Sequence, residues 1–399
     1  MSARSQKILI VGAGIGGLAA ALALLRAGFA VELHEQARAL REVGAGVQLS
    51  ANATRALAHL GVLDVLRETA CEAQGKEIRL WSTGQTWPLF DLGAESVRQY
   101  GYPYLTVYRP DLLAVLEAAV RAADPHCLRL GAKATGFAQD SAGVSLNRAD
   151  GGSARGAALI GADGIHSNLR AALFGADKPS FTGLIAWRGV VPMDRLPAHL
   201  HRMVGTNWVG PGRHVVHYPL RAGQLMNIVG IVERGDWQVE SWSTQGDPAE
   251  LLRDFAGWHD DVQTLMGAIQ TPFKWALATR EPLMRWSEGR VSLLGDACHP
   301  TLPMLAQGAC QAIEDGVVLA RALTAHADIP AALRAYETAR VARTARMVRG
   351  SAENATRFHN PALAHAEGAA SYVDREWAED KIRARYDWLF TYRADEVPI

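Results

Sequence analysis

His214 and Tyr218 are the side chains of this sequence best suited to proton chemistry on a small molecule. They lie four residues apart in the segment 213–220, which the pattern predicts to be a strand. Residues four apart share one face of a strand, so both side chains point the same way and His217 points the other way. A histidine can accept a proton from a phenol, whose pKa is about 10, and a tyrosine can orient or relay it. The same residues also fit an ordinary sheet with a polar histidine and a half-buried tyrosine.

A glycine-rich turn near the N-terminus predicts a nucleotide-binding unit. Gly12, Gly14 and Gly17 follow a predicted strand at 7–11 and open a predicted helix. In such a GxGxxG motif the first glycine permits a tight turn, the second lets the backbone approach a pyrophosphate, and the third lets helix and strand pack closely. Glu35 ends the next predicted strand, where a carboxylate can accept hydrogen bonds from ribose hydroxyls. The alternative is a glycine-rich packing turn without a ligand.

A second strand-and-turn pattern lies in the middle of the chain. Asp163 follows the apolar run at 157–160 and precedes a glycine. Arg170 falls one helical turn after Ser167, so we expect it either to pair with Asp163 or to contact a phosphate. Asp-Gly is also a common turn, so this segment by itself fits either an ordinary turn or a nucleotide site.

A third pattern of this kind lies almost 300 residues after the glycine-rich turn. Asp296 ends an apolar strand, where a carboxylate suits a sugar or ribityl hydroxyl. Gly308 and Ala309 open a helix, and the positive end of a helix suits the electron-rich edge of a flavin. One nucleotide fold contacted from both ends of the chain indicates a long cofactor held by a discontinuous domain. A flavin dinucleotide fits this pattern better than a simple nicotinamide site.

Composition argues against several classes of function. The 399 residues carry 41 Lys and Arg against 41 Asp and Glu, with no basic stripe, so nucleic acid is not an expected partner. The uncharged stretch 8–25 could suggest a membrane helix, but its glycines favour a buried strand and helix, and we expect a cytoplasmic protein without a membrane segment. For Cys298 and His299, packing is favoured over thiol or metal chemistry, and we predict no metal site. The four cysteines are scattered and are expected to be reduced thiols, namely Cys71, Cys127, Cys298 and Cys310.

The order of patterns predicts an α/β fold with interleaved domains. Short alternating segments between about residues 181 and 232 predict an antiparallel sheet, and 53–66 and 249–266 each have helical spacing. The expected parts are a discontinuous Rossmann-like FAD domain (1–72, 103–178 and 284–350), an antiparallel-sheet substrate domain (73–102 and 179–283) and a C-terminal helical segment (351–399).

Over nearly its whole length the chain resembles the single-component FAD-dependent aromatic hydroxylases, which include salicylate hydroxylase, 3-hydroxybenzoate 6-hydroxylase and 6-hydroxynicotinate 3-monooxygenase. The resemblance implies bound FAD, NADH or NADPH as a transient co-substrate, and O2 and a small aromatic acid as substrates. It also implies a flavin C4a-hydroperoxide that delivers one oxygen atom to an activated ring. We expect a monomer or a homodimer.

The resemblance also assigns roles to residues. The 3-hydroxybenzoate and 6-hydroxynicotinate enzymes carry a histidine and a tyrosine at the spacing of His214 and Tyr218, which favours the catalytic interpretation of that pair. The cofactor-binding residues that it implies are Gly12, Gly14 and Gly17 for the pyrophosphate, Glu35 for the adenosine ribose, Arg109 for the flavin, Asp163 for the flavin and the nicotinamide nucleotide, and Asp296 of the Gly-Asp motif.

The expected substrate pocket departs from these relatives. Pro303 stands where the 3-hydroxybenzoate enzyme has a glutamine, and Met304 where the 6-hydroxynicotinate enzyme has a histidine. Gln48 replaces another histidine of the latter enzyme, so the pocket near the flavin is predicted to be more apolar. Three residues of the predicted sheet are further candidates for the pocket wall, although a tryptophan there is more often core: Trp187, Arg188 and Trp208.

The resulting hypothesis is NAD(P)H- and O2-dependent hydroxylation of a phenolic or hydroxypyridine carboxylic acid. Decarboxylation can accompany hydroxylation where the carboxylate is ortho or para to the activating hydroxyl. Two alternatives stay open, a flavin dehydrogenase or oxidase that inserts no oxygen, and a flavoprotein redox sensor or scaffold. The strand with His214 and Tyr218 favours hydroxylation over both.

Overall fold

Helices and strands alternate along most of the chain. A computed structural model describes residues 6–40, 44–236 and 244–399. The α-helices in these ranges are α1 (Ile15–Arg26), α2 (Ala51–His59), α3 (Leu63–Arg67), α4 (Ala94–Tyr100), α5 (Arg109–Ala123), α6 (Asn168–Phe174), α7 (Pro248–Asp254), α8 (Asp260–Gly267), α9 (Gly308–Ala325), α10 (Ile329–Phe358), α11 (Ala366–Glu376) and α12 (Glu379–Phe390).

The strands of the same ranges are β1 (Lys7–Val11), β2 (Ala30–His34), β3 (Gly46–Leu49), β4 (Cys71–Glu72), β5 (Gly75–Leu80), β6 (Thr86–Asp91), β7 (Leu105–Tyr108), β8 (Leu128–Arg129), β9 (Ala134–Gln139), β10 (Val144–Arg148), β11 (Ser153–Gly156), β12 (Ala158–Gly161), β13 (Ser180–Pro192), β14 (Val204–Gly210), β15 (Arg213–Leu220), β16 (Leu225–Glu233), β17 (Phe273–Thr279), β18 (Ser287–Glu288) and β19 (Val291–Leu293).

The nucleotide-binding sheet draws strands from both ends of the chain. Its order among the described residues is β18-β19-β12-β1-β2-β8, and every neighbouring pair except β18 and β19 is parallel. Parallel strands bury both faces, which accounts for the apolar runs of β1 and β12. The predicted α/β class with a discontinuous Rossmann-like domain is confirmed.

A second sheet forms the other large layer. Its order is β17-β13-β16-β15-β14-β5-β6, and its neighbours are antiparallel except for the parallel pair β14 and β5. The predicted antiparallel sheet is therefore confirmed with one parallel exception, because β5 joins from the earlier, separate part of the chain. Small sheets β11-β10-β9 and β3-β7-β4 complete the architecture.

Three details differ from the sequence-based predictions. The helix expected at 53–66 is two helices, because Gly61 takes a φ of +61° between α2 and α3. The helix expected at 249–266 is also two, since Gly257, with a φ of +78°, lies between α7 and α8. The boundary expected after residue 350 falls inside α10, a helix of 30 residues that ends at Phe358. The other domain limits stay a prediction.

The long uncharged stretch at the N-terminus is β1, the glycine-rich turn and most of α1. Its side chains are almost fully enclosed because α1 packs between α5 and α9. In the described ranges, no helix combines the length and the apolar character needed to cross a membrane.

The two faces of the seven-stranded sheet have different coverings. On one face, Ile78, Leu80 and Val209 belong to a core shared with side chains of the C-terminal helices, such as Phe358 and Trp377. On the other face, Trp187 and Trp208 belong to a core with α7 and α8. Successive strand residues point to opposite faces of the sheet, so each side chain faces one of these two cores and its neighbours face the other.

Candidate active site

A cavity of about 380 Å³ lies between the nucleotide-binding elements and the seven-stranded sheet. Its nucleotide-side wall combines the glycine-rich turn, β3, the turn after β19 and the start of α9. Its opposite wall consists of inward side chains of the seven-stranded sheet. Most predicted site residues reach this cavity, namely Gly14, Gln48, Arg109, Arg188, His214, Tyr218, Asp296, Pro303, Met304, Gly308 and Ala309.

The glycine-rich turn is shaped by close backbone contacts. Gly12 has a φ of +99°, and a Cβ there would overlap the carbonyl oxygen of Ala162. A Cβ on Gly17 would overlap the carbonyl oxygen of Gly12, where α1 crosses β1. Gly14 differs, because a Cβ there would meet no atom within 4 Å and the residue lines the cavity. The turn therefore presents open backbone to the cavity, which fits a pyrophosphate.

Glu35 lies beside this turn, just after β2. Its Oε2 accepts a hydrogen bond from the backbone of Ala13 at 2.8 Å, and its Oε1 accepts one from Ala37 at 2.7 Å. The carboxylate thus braces the turn from the side on which a ribose is expected. Its contact with a ribose stays a prediction.

Asp296 and the first turn of α9 bound the cavity at the other end of the chain. The Asp296 side chain lies open to the cavity, but protein atoms surround its carboxyl on the other sides. This burial raises the pKa of the carboxyl, and the charges of His299 and Arg109 act in the opposite direction. The N-cap residue Gln307 makes no capping hydrogen bond with its side chain, so the N–H groups of Gly308 and Ala309 are available to a ligand at the positive end of an 18-residue helix. These donors fit the electron-rich edge of a flavin.

A buried ionic cluster fixes α9 against α10. Arg340 bonds Glu314 at 2.5 Å and Asp315 at 2.7 Å, and all three side chains are fully enclosed. Nε2 of His299 lies 2.6 Å from the other oxygen of Asp315, which also accepts from the backbone of Gly295. Cys298, His299 and Asp315 come close enough to suggest metal ligands. Because both oxygens of Asp315 already have partners, the ionic cluster accounts for this proximity.

Asp163 binds the N-terminal end of α6 and does not line the cavity. Its carboxylate accepts hydrogen bonds from the Ser167 hydroxyl at 2.5 Å and from the backbone at the start of α6. Gly164, next to it, lines the cavity. Of the two roles predicted for Arg170, the pair with Asp163 is wrong, because Arg170 bonds Asp177 at 2.8 Å, and the phosphate contact stays a prediction. The cofactor contact of Asp163 stays a prediction.

His214 and Tyr218 share the cavity face of β15, as their spacing predicts. His217 faces the opposite side, where burial lowers its pKa to about 3. Burial also raises the pKa of Tyr218 above its ordinary value, against a hydrogen bond with Gln48. The tyrosine is therefore a neutral hydroxyl that can both donate and accept a hydrogen bond.

His214 has a partner that the sequence did not reveal. Its Nδ1 lies 2.6 Å from Nε2 of His359, the residue that follows α10, and Nδ1 of His359 lies 2.9 Å from Oε1 of Glu233. Burial lowers the pKa of His214 well below its ordinary value, and nearby His359 adds to the shift. His214 is therefore neutral at pH 7 and can act as a base.

Two cations approach the cavity from the sheet. Arg188 is buried, with its guanidinium 5.0 Å from the ring centre of Trp275. Lys76 is half-buried, and the loss of water around its ammonium lowers its pKa to about 8. Its Nζ lies 3.5 Å from Oε1 of Gln48, which also accepts from the Tyr104 hydroxyl at 2.8 Å. Lys76 was not predicted, since its position in β5 gives no sign of which element it faces.

The prediction that Trp187 and Trp208 line the pocket is wrong. Both side chains are fully buried in the core on the opposite face of the sheet. Nε1 of Trp187 donates to Asp254 at 2.7 Å, and Trp208 stacks under Arg79, whose guanidinium is 4.2 Å from its ring centre. Their neighbours Arg188 and Asn207 face the cavity instead. Successive residues of a strand point to opposite faces, so a shift of one residue exchanges pocket for core.

The loop before α9 reaches the cavity with two predicted residues, Pro303 and Met304. They lie in a short 3₁₀ helix, Pro303–Leu305. Helix α10 holds this loop, because Ser351 donates to the carbonyl of Leu302 at 2.5 Å and Asn354 to that of Met304 at 3.4 Å. Helix α10 thus positions the part of the wall that is predicted to differ from the named relatives.

Comparisons with known proteins agree with this architecture. The family described as FAD binding domain matches residues 5–351. The chain is 38% identical to 3-amino-4-hydroxybenzoate 2-monooxygenase of Streptomyces platensis, over 100% of this chain and 98% of that protein. It is also 38% identical to 3-hydroxybenzoate 6-hydroxylase of Polaromonas naphthalenivorans, over 96% and 95%. The structure of Klebsiella pneumoniae HpxO with FAD and uric acid gives a TM-score of 0.84 at 30% identity, with 97% of each chain covered.

The chain therefore belongs to the FAD binding domain family. Within that family it is an FAD-dependent aromatic hydroxylase, as its motifs predicted.

Proposed function

We propose that this protein is an NAD(P)H- and O2-dependent monooxygenase that hydroxylates a phenolic or hydroxypyridine carboxylic acid through a flavin C4a-hydroperoxide. The observation that carries the proposal is the composition of the cavity. A wall of backbone N–H groups suited to a flavin faces a sheet wall with a neutral base, His214, a hydroxyl, Tyr218, and a buried cation, Arg188.

The nucleotide-side wall fits FAD through residues far apart in the chain. Gly14 offers open backbone to a pyrophosphate, Asp296 offers a carboxylate to ribityl hydroxyls, and α9 offers its N-terminus to the flavin ring. When bound and reduced by NAD(P)H, the flavin would supply the electrons that activate O2, one oxygen atom of which goes to the ring. Within the described residues one parallel sheet has a nucleotide-binding order, and we expect FAD to bind there, so NAD(P)H is expected to bind transiently.

His214 prepares the substrate ring for attack. Transfer of an electrophilic oxygen needs an electron-rich ring, and a phenolate is richer than a phenol. A free phenol has a pKa of about 10, so near neutral pH a positioned base must remove the proton. The buried and neutral imidazole of His214 meets this need. Tyr218, on the same face, orients the hydroxyl that gives up the proton.

Arg188 is the proposed partner of the substrate carboxylate. A guanidinium is planar and pairs with a carboxylate through two hydrogen bonds, and it stays charged when buried. Arg188 lines the same cavity as His214 and lies near Trp275, so we expect an acid held there by its carboxylate to place its ring in the cavity with the base. The names of the relatives, 3-amino-4-hydroxybenzoate and 3-hydroxybenzoate hydroxylases, support an aromatic acid as substrate. Lys76 adds a second positive charge near Gln48.

Apolar side chains surround the rest of the expected ring position. They keep bulk water away, which strengthens charge interactions in the cavity and protects the activated oxygen from side reactions. Those that line the cavity are Val216, Val229, Ile231, Trp275, Leu302, Pro303, Met304 and Phe358.

A panel of hydroxylated benzoates and pyridinecarboxylates tests the proposal. FAD-loaded protein is mixed with NADH or NADPH and each acid, and NAD(P)H oxidation, O2 uptake, hydroxylated product, peroxide and CO2 are measured. We expect at least one acid to stimulate NAD(P)H oxidation and to yield hydroxylated product in near-equal amount. Peroxide without product for every acid would favour an oxidase. CO2 release with ortho or para hydroxy acids would show decarboxylative hydroxylation.

A further inference from the structure

Three titratable side chains connect the cavity with the protein surface. His214 lines the cavity, His359 lies behind it, and Glu233 follows at the end of β16. The two histidines are buried, whereas the Glu233 side chain is 56% exposed. The hydrogen-bonded chain therefore runs from the substrate side of the sheet to solvent.

The chemistry of these groups sets the starting position of each proton. An ionised Glu233 can only accept, so Nδ1 of His359 carries the hydrogen between them. A neutral His359 then has a bare Nε2, which accepts the hydrogen on Nδ1 of His214. Nε2 of His214 is left bare as the nitrogen available to a ligand. A carboxylate that sets the tautomer of a histidine in this way is a general device for making a base.

We propose that His214, His359 and Glu233 form a proton relay that carries the hydroxyl proton of the substrate out of the closed cavity. The relay rests on the proposed function, because it starts from a phenolic ligand. The O–H bond of the ligand breaks as its proton binds Nε2 of His214. The Nδ1 proton of His214 moves to Nε2 of His359, the Nδ1 proton of His359 moves to Glu233, and Glu233 releases it to water. Return of one proton to the product oxygen runs the same steps backward and restores the starting tautomers.

The electrostatics of the three groups favour outward movement. The charged form of His214 is disfavoured by burial and by His359, so it does not hold the extra proton. Burial also lowers the pKa of His359, but the adjacent Glu233 carboxylate acts against that shift. Among the described residues, His359 is the charged or titratable group that shifts the pKa of His214, and Glu233 is the one that shifts the pKa of His359. The neighbouring Arg213 donates instead to the carbonyl of Asp254.

Backbone contacts from three elements hold the relay in place. The N–H of His359 donates to Ala355 at 3.2 Å, which fixes His359 at the end of α10. Its carbonyl accepts from Gly212 at 3.1 Å, and Glu233 donates its N–H to the carbonyl of Gly212 at 2.9 Å. The turn at Gly212, between β14 and β15, thus joins the end of α10 to the end of β16. The side chains meet because their backbones are tied together.

Ionisation of a bound phenolic probe tests the relay apart from oxygen transfer. The probe is 3-hydroxy-4-nitrobenzoate, whose phenolate absorbs visible light, mixed anaerobically with FAD-loaded protein at pH 6. His359→Gln should slow phenolate formation about 100-fold, the lower end of the range for a lost general-base pathway, and Glu233→Gln about 10-fold, because water can still take the proton from His359. Glu281→Gln, at an exposed position away from the cavity, is the matched control and should match the wild type.

Imidazole rescue separates proton transfer from a structural role. In His359→Gly, added imidazole should restore phenolate formation in proportion to the unprotonated fraction of the imidazole. The FAD content and Tm of this variant should be the same with and without imidazole. Glu233 lies at the surface, so its variant decides the question if changes at His359 impair folding. A wild-type protein that fails to ionise the probe, or variants that ionise it at the wild-type rate, would overturn the relay.

The result distinguishes the relay from the proposed function. Wild-type protein that ionises the probe but forms no hydroxylated product from any acid of the panel contradicts the function and leaves the relay. Wild-type protein that forms product, together with unaffected Glu233→Gln and His359→Gln variants, contradicts the relay and leaves the function.

Discussion

The two walls of the cavity are built by different means. The nucleotide-side wall presents backbone N–H groups, which stand in place because Gly17 packs against Gly12 and Arg340 joins α9 to α10. The sheet wall presents side chains, with His214 and Arg188 as its proposed working groups. Any sequence that can form the turn offers the same N–H groups, whereas side chains decide which ligand binds and where a proton goes.

This difference separates the effects expected of substitutions. Changes in the nucleotide-side wall should alter folding and FAD binding, because its backbone depends on close packing. Changes in the sheet wall should alter rate and specificity while FAD stays bound. Two relatives, each 38% identical to this chain, carry the names of enzymes for different ring acids, which agrees with a fixed cofactor wall and a variable substrate wall.

The largest effect, on folding and FAD binding, is expected when one methyl group is added to the glycine-rich turn. Gly17→Ala places a Cβ onto the carbonyl oxygen of Gly12, so β1 and α1 cannot approach and no FAD-loaded protein should be recovered. Gly14→Ala is the matched control, because its Cβ meets no protein atom within 4 Å. This variant should keep its Tm as apoprotein but bind FAD more weakly. Equal FAD binding by both variants would contradict the assignment of the turn.

The next largest effect concerns stability. Arg340→Met removes the buried cation that Glu314 and Asp315 share and leaves them only Arg343 and His299 as side-chain ion-pair partners, which should lower the free energy of unfolding by about 3–5 kcal/mol. Denaturant unfolding of the apoprotein measures this change. Arg383→Met, which breaks an exposed pair with Glu379, should cost about 1 kcal/mol or less. A similar cost for both would show that the cluster does not fix α9.

In the sheet wall, His214→Asn should lower turnover by about 10²–10⁴-fold while FAD stays bound. The wild type needs neutral His214, and because burial lowers its pKa, activity should stay level as pH falls toward that pKa. The variant depends on substrate that is already ionised, so its rate should rise with pH toward the phenol pKa of about 10. The deficit should therefore be largest at low pH. A deficit independent of pH would argue against His214 as the base.

A smaller and more selective effect is expected at the proposed carboxylate partner. Arg188→Met should raise KM for the preferred acid by about 10–100-fold, the loss of a charge-assisted pair worth about 1.5–3 kcal/mol. The matching carboxamide, which lacks the charge, should show little change between variant and wild type. Lys76→Met is the comparison variant, and a greater loss there would move the carboxylate to Lys76.

The sequence indicated the two walls to different degrees. The glycine-rich turn, the Asp296 turn and the start of α9 could be predicted because each is a local pattern of neighbouring residues. His359 and Glu233 could not, since the hydrogen bond from His214 to His359 crosses 145 residues and depends on where α10 ends against the sheet. The substrate wall is thus a product of packing between distant elements.

The two misplaced tryptophans show a further limit. Strands β13 and β14 are buried on both faces for most of their length, so polar residues do not mark which side meets the cavity. His214 and Tyr218 could be placed relative to each other by their spacing, but Trp187 and Trp208 could not be placed relative to them. Only the pairing of the strands fixes that register.

The smallest effect is expected from Trp208→Phe, which tests the separation of the two faces. The indole of Trp208 lies in the core opposite the cavity, and its Nε1 has no hydrogen-bond partner among the described residues. The phenyl ring keeps an aromatic face under Arg79, so Tm should change by a few degrees at most and KM for the preferred acid by less than about 2-fold. Parallel KM and Tm measurements check this. A KM change as large as that of Arg188→Met, with Tm unchanged, would place Trp208 at the substrate after all and remove the distinction between a pocket face and a core face.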